Sequence, residues 1–241
     1  MLQPMRVALM NEWAGSLPKD DECDFRNVDA RALSQIITEC RARTVRLYHV
    51  TAPSLDGIEL LTAVTDLAVN WAPKITSLAP LFRMAGVRRL TLIDLARVWE
   101  LDGIERLRGL VELDLQGGMW KPLRLKSLRP LAGLPLLERL TILNTRLGDD
   151  DVALLASMRR LRALHLSNQF ERRQVAHVAR ALNGQLEQPL AAYLETKTTC
   201  ERCGNKRLMF TGSRMPILCP SCDSARVTKL TDEFLALVAS S

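Results

Sequence analysis

The residues of this sequence that could do chemistry at a shared centre are four cysteines, arranged as CERC at 200–203 and CPSC at 219–222. A Cys-x-x-Cys pair places two thiolates about one edge of a metal-ligand tetrahedron apart, and two such pairs complete a four-cysteine set. Four protein ligands leave no open coordination position, which favours a structural Zn²⁺ over a hydrolytic one. The predicted zinc ligands are Cys200, Cys203, Cys219 and Cys222.

The segments between and after these cysteines, KRLMFTG, MPILC and ARVTKLT, are expected to be strands. Together with the cysteine spacing they resemble a zinc ribbon, which implies a small structural or adaptor domain. A thioredoxin-type redox pair would not come twice at this spacing, whereas a rubredoxin-type iron centre stays open as the alternative. The last segment, TDEFLALVAS, is expected to form a short helix.

No other group of residues has the spacing of a catalytic site. His49 and His165 are expected on the outer face of strands, without a serine or cysteine partner, and no P-loop, GxGxxG or HExxH pattern occurs. Asp66, Asp94 and Asp114 could neighbour one another on adjacent strands, where carboxylates are usually solvated or contact a partner. We therefore expect no enzymatic activity and no small-molecule substrate.

The composition points to a soluble, cytoplasmic protein. One residue in four is charged, the apolar run near the N-terminus is too short for a signal-peptide core, and no stretch approaches the ~18 apolar residues of a membrane helix. Six cysteines among 241 residues do not make a disulfide scaffold. No contact with a membrane is expected.

The elements that must carry these residues follow one repeat. The same spacing of apolar residues occurs four times, in copies that begin at Ala52, Ile75, Val98 and, after a short insertion, Leu125, and LDGIE recurs at 55–59 and 101–105. All 28 aligned positions are apolar although the chain is only 47% hydrophobic. Such self-similarity indicates a repeat protein.

Each repeat is expected to hold one strand and a tight return. The strands alternate apolar and polar residues, while the apolar spacing before each strand is three, which suits an extended or 3₁₀-like segment. A single coil cannot bury its apolar stripe, so neighbouring coils stack and align their strands in parallel. The first strand is expected to begin at Val45 and Leu47, and the others centre on Leu67, Leu90, Leu113, Leu140 and Leu164.

These repeats resemble the leucine-rich repeat family, in particular the short repeats of bacterial internalin-type proteins. The motif LxxLxL appears as VRRLTL (87–92), LVELDL (110–115), LERLTI (137–142) and LRALHL (161–166). The resemblance implies an α/β solenoid with a parallel sheet and a role in protein binding. One feature departs from the family, because the position that usually holds a turn-bonding asparagine is occupied by Ala72, Leu95, Gly118, Thr145 and Gln169.

Three domains are expected: an N-terminal cap at 1–42, the leucine-rich repeat solenoid at 43–185 and the zinc ribbon with its terminal helix at 186–241. The cap is expected to contain an amphipathic helix over 29–42, with Asp29 as N-cap and Cys40 on its buried face. Cys23 is expected in an acidic loop. Further helices are expected over 149–160 and 171–182.

A protein partner is the first functional hypothesis, bound on the outward face of the sheet and along the turns that carry three tryptophans. The insertion GGMWKP places Trp120 where repeat proteins tend to form binding loops. Tryptophans that stack on one another and close the coil are the alternative. The residues expected to contact the partner are Tyr48, Asn70, Trp71, Asp94, Trp99, Asp114, Gln116, Trp120 and His165.

A nucleic-acid-associated adaptor is the second hypothesis. The net charge of +6 is unevenly placed, since residues 152–232 sum to +7 while residues 1–151 sum to zero. A basic C-terminal third could attract phosphates, although the outward strand positions form no basic stripe. The expected nucleic-acid contacts are Arg159, Arg160, Arg162, Arg172, Arg173, Arg202, Lys206, Arg207 and Arg214.

Overall fold

Residues 6–240 are described by the computed structural model, and they divide into two units between Asp149 and Asp150. The domain boundaries expected after residues 42 and 185 stay predictions. In the first unit, a parallel sheet gains one strand per coil. In chain and spatial order its strands are β1 (Arg6–Leu9), β2 (Glu22–Val28), β3 (Thr44–Val50), β4 (Asp66–Asn70), β5 (Arg89–Ile93), β6 (Glu112–Gln116) and β8 (Arg139–Leu143).

A second, two-stranded parallel sheet forms in this unit beside the C-terminal ends of the long strands. It pairs β7 (Leu123–Leu125) with β9 (Thr145–Leu147). The strands predicted around Leu67, Leu90, Leu113 and Leu140 are confirmed, whereas β7 and β9 were not expected. Both follow directly on the turns after β6 and β8, so the insertion in the repeat contributes one of them.

Inward-facing side chains stack in register to form the core of the first unit. Leu67 pairs with Leu90, Leu90 with Leu113 and Leu113 with Leu140, and each of the four is at most 2% exposed. Burying one such side chain contributes about 2 kcal/mol. A register slip of one residue would turn every leucine outward, so the pattern strongly specifies the pairing.

The return segments contain one short 3₁₀ helix per coil, as the apolar spacing of three predicted. Gly57 and Gly103, from the repeated LDGIE, precede two of these helices with φ values of 87° and 97°. Only glycine adopts this conformation without strain, which explains why the pentapeptide recurs. The four helices are Ile58–Leu60, Leu81–Arg83, Ile104–Arg106 and Arg129–Gly133.

The N-terminal part of the first unit holds the expected cap helix, α1 (Ala30–Glu39). The Asp29 side chain accepts a hydrogen bond of 2.8 Å from the Ala32 N–H, so this residue is the N-cap. Cys40 is buried as expected, and burial raises the pKa of its thiol. The loop predicted around Cys23 is wrong, because Cys23 lies inside β2 on the side that faces the core.

A column of residues with positive φ takes the place of the missing asparagines at the turns. Asn27 and His49 are the residues before the last of β2 and β3, and Trp71, Asp94 and Asn144 directly follow β4, β5 and β8; all five have φ between 45° and 59°. Backbone hydrogen bonds join successive turns, for example from the Trp71 N–H to the Ile93 carbonyl at 2.9 Å. Asn, Asp and His tolerate this conformation, but for a residue as bulky as Trp71 it is a genuine outlier.

The second unit contains a last coil and the cysteine-bearing segment. Its elements are a 3₁₀ helix (Ala153–Ser157), β10 (Ala163–Leu166), α2 (Arg172–Leu182), β11 (Tyr193–Thr199), β12 (Lys206–Phe210), β13 (Ile217–Leu218) and α3 (Ser224–Ser240). The prediction of α2 is confirmed. The α-helix predicted over 149–160 is wrong, because its buried residues Val152, Leu155, Met158 and Leu161 recur every third position, as in the other returns.

The strand predicted at ARVTKLT is also wrong, because this segment begins α3. Val227 and Leu230 pack on the buried face of the sheet β11–β12–β13, and Phe234 is buried between further apolar residues of the unit. These spacings of three and four are helical, and the Val227 N–H donates to the Asp223 carbonyl at the start of the helix. The strands at KRLMFTG and MPILC are confirmed, and the helix predicted at TDEFLALVAS is the second half of α3.

We expect Gly117→Ala to lower the free energy of unfolding by about 2 kcal/mol or more, because the turn after β6 has no room for a side chain. A Cβ on Gly117 would lie 2.6 Å from the Leu123 nitrogen and closer still to the Asn144 carbonyl oxygen. The measurement is denaturant unfolding, with Gly109→Ala as control, since its Cβ would first meet the flexible Arg88 side chain at 3.4 Å. The control should change the stability by less than about 1 kcal/mol; equal effects of the two variants would contradict this account of the turn.

Candidate metal centre and binding surfaces

The four predicted ligand cysteines converge in the second unit. Their Sγ atoms all lie within 4.8 Å of one another, with 3.3 Å between Cys203 and Cys219 and 3.9 Å between Cys200 and Cys222. Four sulfurs about 2.3 Å from a central ion at tetrahedral angles would lie roughly 3.8 Å apart. The cluster therefore has the size and the donor set of a four-cysteine metal site.

Two tight turns, one for each Cys-x-x-Cys pair, position the sulfurs. In the first, the Gly204 N–H donates to the Cys200 carbonyl at 2.8 Å, and Gly204 has a φ of 76° that closes the turn. The Asn205 side chain donates to the Ser221 hydroxyl at 2.6 Å and so links the first turn to the second. The ligand geometry is thus built by hydrogen bonds of the protein itself.

The same turns favour the thiolate form of one cysteine in each pair. The backbone N–H of Arg202 lowers the pKa of the Cys200 thiol to about 6, and that of Cys222 lowers the pKa of Cys219. Hydrogen bonding with Cys203 raises the pKa of Cys222 to about 12. Four thiolates can therefore share this space only around a cation, which would supply the missing charge.

On the outward face of the first unit, one row of side chains carries charges of alternating sign. Asp66, Arg89, Glu112 and Arg139 occupy successive strands in direct register. Arg89 and Asp66 form an ion pair, and this hydrogen bond raises the pKa of the Arg89 guanidinium. A row that balances its own charges offers little net attraction to a charged partner.

The C-terminal ends of β2–β4 carry a different surface, which we call the aromatic edge and define as Arg26, Tyr48, His49 and Trp71. The Trp71 ring stacks on His49 with 3.9 Å between centroids and meets Tyr48 edge-on at 5.9 Å, while the Arg26 guanidinium lies 5.5 Å from the centre of the Tyr48 ring. Tyr48 and Trp71 remain 42% and 41% exposed. A rigid cluster thus presents two large aromatic side chains to solvent.

Asn70 lies next to this edge, in register with Tyr48. Its side-chain oxygen is buried and has no hydrogen-bond partner within the described part of the chain. The structure therefore brings together three of the residues predicted to contact a partner, Tyr48, Asn70 and Trp71. Sequence reasoning did not single out Arg26 and placed His49 merely on the surface, although each lies one repeat before the aromatic residue that it contacts.

The other predicted partner residues lie elsewhere. Asp114 pairs with Thr91 rather than Asp66, and Asp94 occupies a turn, so the three carboxylates that could have been neighbours are in different rows. The Gln116 amide donates to both Asp114 oxygens, at 2.9 and 2.8 Å. His165 is exposed on β10 in the second unit.

The two remaining tryptophans lie in the turn region of the first unit. The Trp99 ring would be 3.2 Å from a Cβ on Gly148, and the Trp99 carbonyl accepts a hydrogen bond from the Lys126 N–H. Trp120 is 89% exposed at the tip of the insertion, beside Met119 at 86%. The alternative in which the tryptophans stack on one another therefore does not fit two of them: Trp120 is exposed, and the Trp71 ring lies on His49.

The side chains predicted to contact nucleic acid differ in their exposure and in whether they already bond to other groups of the chain. Arg159 donates to the Ala181 carbonyl at 2.7 Å and Lys206 pairs with Glu195 at 2.7 Å. Arg172 is half-buried between α2 and α3, where it donates to the Leu230 carbonyl and lies over the Phe234 ring. Burial lowers the pKa of its guanidinium. The predicted contacts exposed to solvent are Arg159, Arg160, Arg162, Arg173, Arg202, Lys206 and Arg214.

Comparison with known proteins finds similarity at the level of solved structures. No protein-family model and no curated protein matches the chain. Among solved structures it is similar to internalin C2 of Listeria monocytogenes, at 19% identity and a TM-score of 0.47 over 64% of each chain, and to internalin F of the same organism, at 15% identity and a TM-score of 0.38 over 67% of this chain and 58% of that one. Both alignments span less than two thirds of the internalin chain.

The coils themselves define the class of fold. One parallel strand and one 3₁₀ return recur in each coil, with leucines stacked inside. This is the architecture of a leucine-rich-repeat-like solenoid. Among the described residues, no helix is long and apolar enough to cross a membrane.

We expect Cys219→Ser to reduce tightly bound metal by at least tenfold, because it removes one of four thiolates from a closed set. Elemental analysis by plasma mass spectrometry of the purified chain, which should hold about one ion per molecule, measures the loss and distinguishes zinc from iron. Cys40→Ala is the matched control, since Cys40 is buried in the other unit. Equal metal content in both variants would contradict the assignment.

We expect Arg172→Ala to lower the free energy of unfolding of the second unit by about 2 kcal/mol, because it removes a charged hydrogen bond and the contact with Phe234. The neighbouring Arg173→Ala, which alters an exposed side chain, should cost less than about 0.5 kcal/mol. Thermal and denaturant unfolding measure both. If Arg172→Ala left the stability unchanged and instead weakened binding to nucleic acid, the structural role of Arg172 would be wrong.

Proposed function

We propose that this chain is a non-catalytic protein-interaction module that binds a protein partner on the strand face and the tryptophan-bearing turns. The observation that carries the proposal is the aromatic edge, in which Tyr48 and Trp71 stand exposed on a fixed backbone. Tyrosine, tryptophan and arginine are the side chains that most often dominate the energy of protein interfaces. A preformed cluster also avoids the entropy cost of ordering these side chains on binding.

The backbone of Trp71 supports the same proposal. A bulky residue at φ 52° carries strain, and strained residues concentrate at binding and catalytic sites. Stacking on His49 on one side and contact with Tyr48 on the other fix the indole in this conformation. The cost of the conformation is thus tolerated at a position where the ring stays 41% exposed.

The neighbouring surface favours a protein over other ligands. The charge row of Asp66, Arg89, Glu112 and Arg139 balances itself, so this row forms no basic groove to follow a phosphate backbone. A mixed polar surface around aromatic anchors is typical of protein interfaces.

The cysteine cluster completes the proposal as a structural Zn²⁺ site that stabilises the second unit, with no role in catalysis. Zn²⁺ fits four cysteine ligands better than hard cations do. Because these cysteines are arranged as metal ligands rather than as disulfides, a reducing, cytoplasmic location belongs to the same proposal. A nucleic-acid adaptor acting through exposed residues such as Arg160, Arg173 and Arg214 remains the second candidate, favoured only by the charge of residues 152–232.

Affinity capture from the native host with the tagged full chain tests the proposal. We expect one or more proteins retained by the wild type to fall by at least tenfold with Tyr48→Ala/Trp71→Ala, since two anchor side chains are removed. The control is Leu60→Ala, which removes an apolar side chain that is even more exposed, at 66%, from a return segment. Captured proteins are quantified by mass spectrometry after nuclease treatment, and the melting temperature of each variant is measured.

Two outcomes would contradict the proposal. In the first, both variants lose the captured proteins equally, which would indicate non-specific adhesion. In the second, binding disappears on nuclease treatment and is abolished by reversing the charges of Arg159, Arg160 and Arg173 instead, which would favour the nucleic-acid adaptor.

A further inference from the structure

The small sheet beside the insertion places two arginines side by side. Arg124 on β7 is in direct register with Arg146 on β9, and both side chains are exposed. Their strand neighbours Leu123, Leu125 and Leu147 are buried, so alternation along each strand turns the arginines outward together. Neighbouring strands lie about 4.8 Å apart, which brings the two guanidinium groups within reach of one anion.

No acidic side chain in the described part of the chain forms an ion pair with these two arginines. The nearby Lys126 and Arg129, by contrast, pair with Glu100 and Asp149. Like charges directly opposite one another destabilise a sheet. The arrangement therefore costs stability in the isolated chain and would be relieved by an anionic ligand.

The insertion loop stands directly before β7 and is fixed at its base. The Asn144 side chain donates to the Gly118 carbonyl at 2.7 Å, and the Leu123 N–H donates to the Asn144 carbonyl at 2.9 Å. Gly118 packs against Asp94 so closely that a Cβ would collide with the carboxyl group. Met119 and Trp120 at the tip nevertheless remain 86% and 89% exposed. A loop fixed at its base thus displays two large apolar side chains in the segment that leads into β7.

We propose that Met119, Trp120, Arg124 and Arg146, together called the insertion edge, bind an acidic segment of a protein partner. Carboxylates of the segment lie on the two guanidinium groups, and an apolar side chain between them packs on the Trp120 indole. The inference rests on the proposed function, since it gives the chemistry of part of the same partner. It also explains the insertion in the repeat, which creates both the loop and β7.

The residue types favour a protein ligand. Arginine presents a planar fork that matches a carboxylate with two parallel hydrogen bonds. Tryptophan, methionine and arginine are enriched at protein interfaces, where lysine is depleted. Two guanidinium groups and one lysine, Lys121, are too few for the series of phosphate contacts that hold nucleic acid.

Fluorescence anisotropy with the metal-loaded full chain tests the inference. The probe is the fluorescein-labelled peptide EELEELEE, titrated in about 50 mM and about 200 mM NaCl. We expect binding that weakens with salt and that falls at least tenfold with Arg124→Glu/Arg146→Glu. The control Arg31→Glu/Arg106→Glu makes the same change of charge at two exposed arginines elsewhere in the unit and should change the affinity less than twofold.

A second comparison tests the apolar contact. Trp120→Ala should weaken EELEELEE at least threefold and leave an all-glutamate peptide of the same length unchanged, because only the first can place a leucine on the indole. The melting temperature of each variant reports its folding. Arg124→Gln/Arg146→Gln should not melt below the wild type, since it removes the repulsion between the strands, and it supplies the binding measurement if the glutamate variant is unstable.

Several results would overturn the inference. Equal losses with the variant and the control would show that peptide binding follows net charge alone. Arg-dependent binding of vesicles with about 30% phosphatidylserine, or of an oligothymidylate, without binding of the peptide would assign the edge to lipid or to nucleic acid. If the captured partner is lost with Tyr48→Ala/Trp71→Ala but retained with Arg124→Glu/Arg146→Glu, the proposed function stands and this inference is wrong.

Discussion

The stacking of leucines in register between parallel strands is the interaction on which the rest of this protein depends. Leu67, Leu90, Leu113 and Leu140 bury one another from coil to coil, and no coil can exclude water without its neighbours. The same register fixes the outer face, because alternation along each strand places every outward side chain opposite its counterpart. Surface chemistry on such a scaffold is therefore arranged in rows, and each row can be neutral, aromatic or charged independently of the next.

The turns between coils keep this register without the asparagines that leucine-rich repeats usually have there. Residues at the ends of β2, β3, β4, β5 and β8 share a left-handed backbone, and backbone hydrogen bonds join successive turns, as from the Trp71 N–H to the Ile93 carbonyl. Side chains at this position are then free to vary between coils. His49 and Trp71 stack on each other, while Asn144 reaches back to hold the insertion loop. The aromatic edge includes His49 and Trp71 of this column, and Asn144 of the column holds the loop of the insertion edge.

The cysteine cluster is held together differently from the stacked coils. The second unit, in which it lies, has a small apolar core around Phe210 and Phe234, and two turns bring the four sulfurs within 4.8 Å of one another. Backbone N–H groups lower the pKa of Cys200 and Cys219, which prepares the site for a cation. A closed set of four protein ligands would bind metal as part of folding rather than present it to a substrate. In the proposed function, this cluster therefore contributes to stability and not to catalysis.

Periodicity and spacing in the sequence by themselves determined the coils, their strands, the 3₁₀ returns and the four-cysteine set, because each follows from contacts that repeat at a fixed distance along the chain. Tertiary structure alone decided that Cys23 lies in a strand, that ARVTKLT begins α3, and that Arg26 and His49 join Tyr48 and Trp71. It also decided that Arg124 and Arg146 face outward side by side. These outcomes depend on the exact register between whole coils and on which face finds an apolar neighbour, and neither is local to a segment.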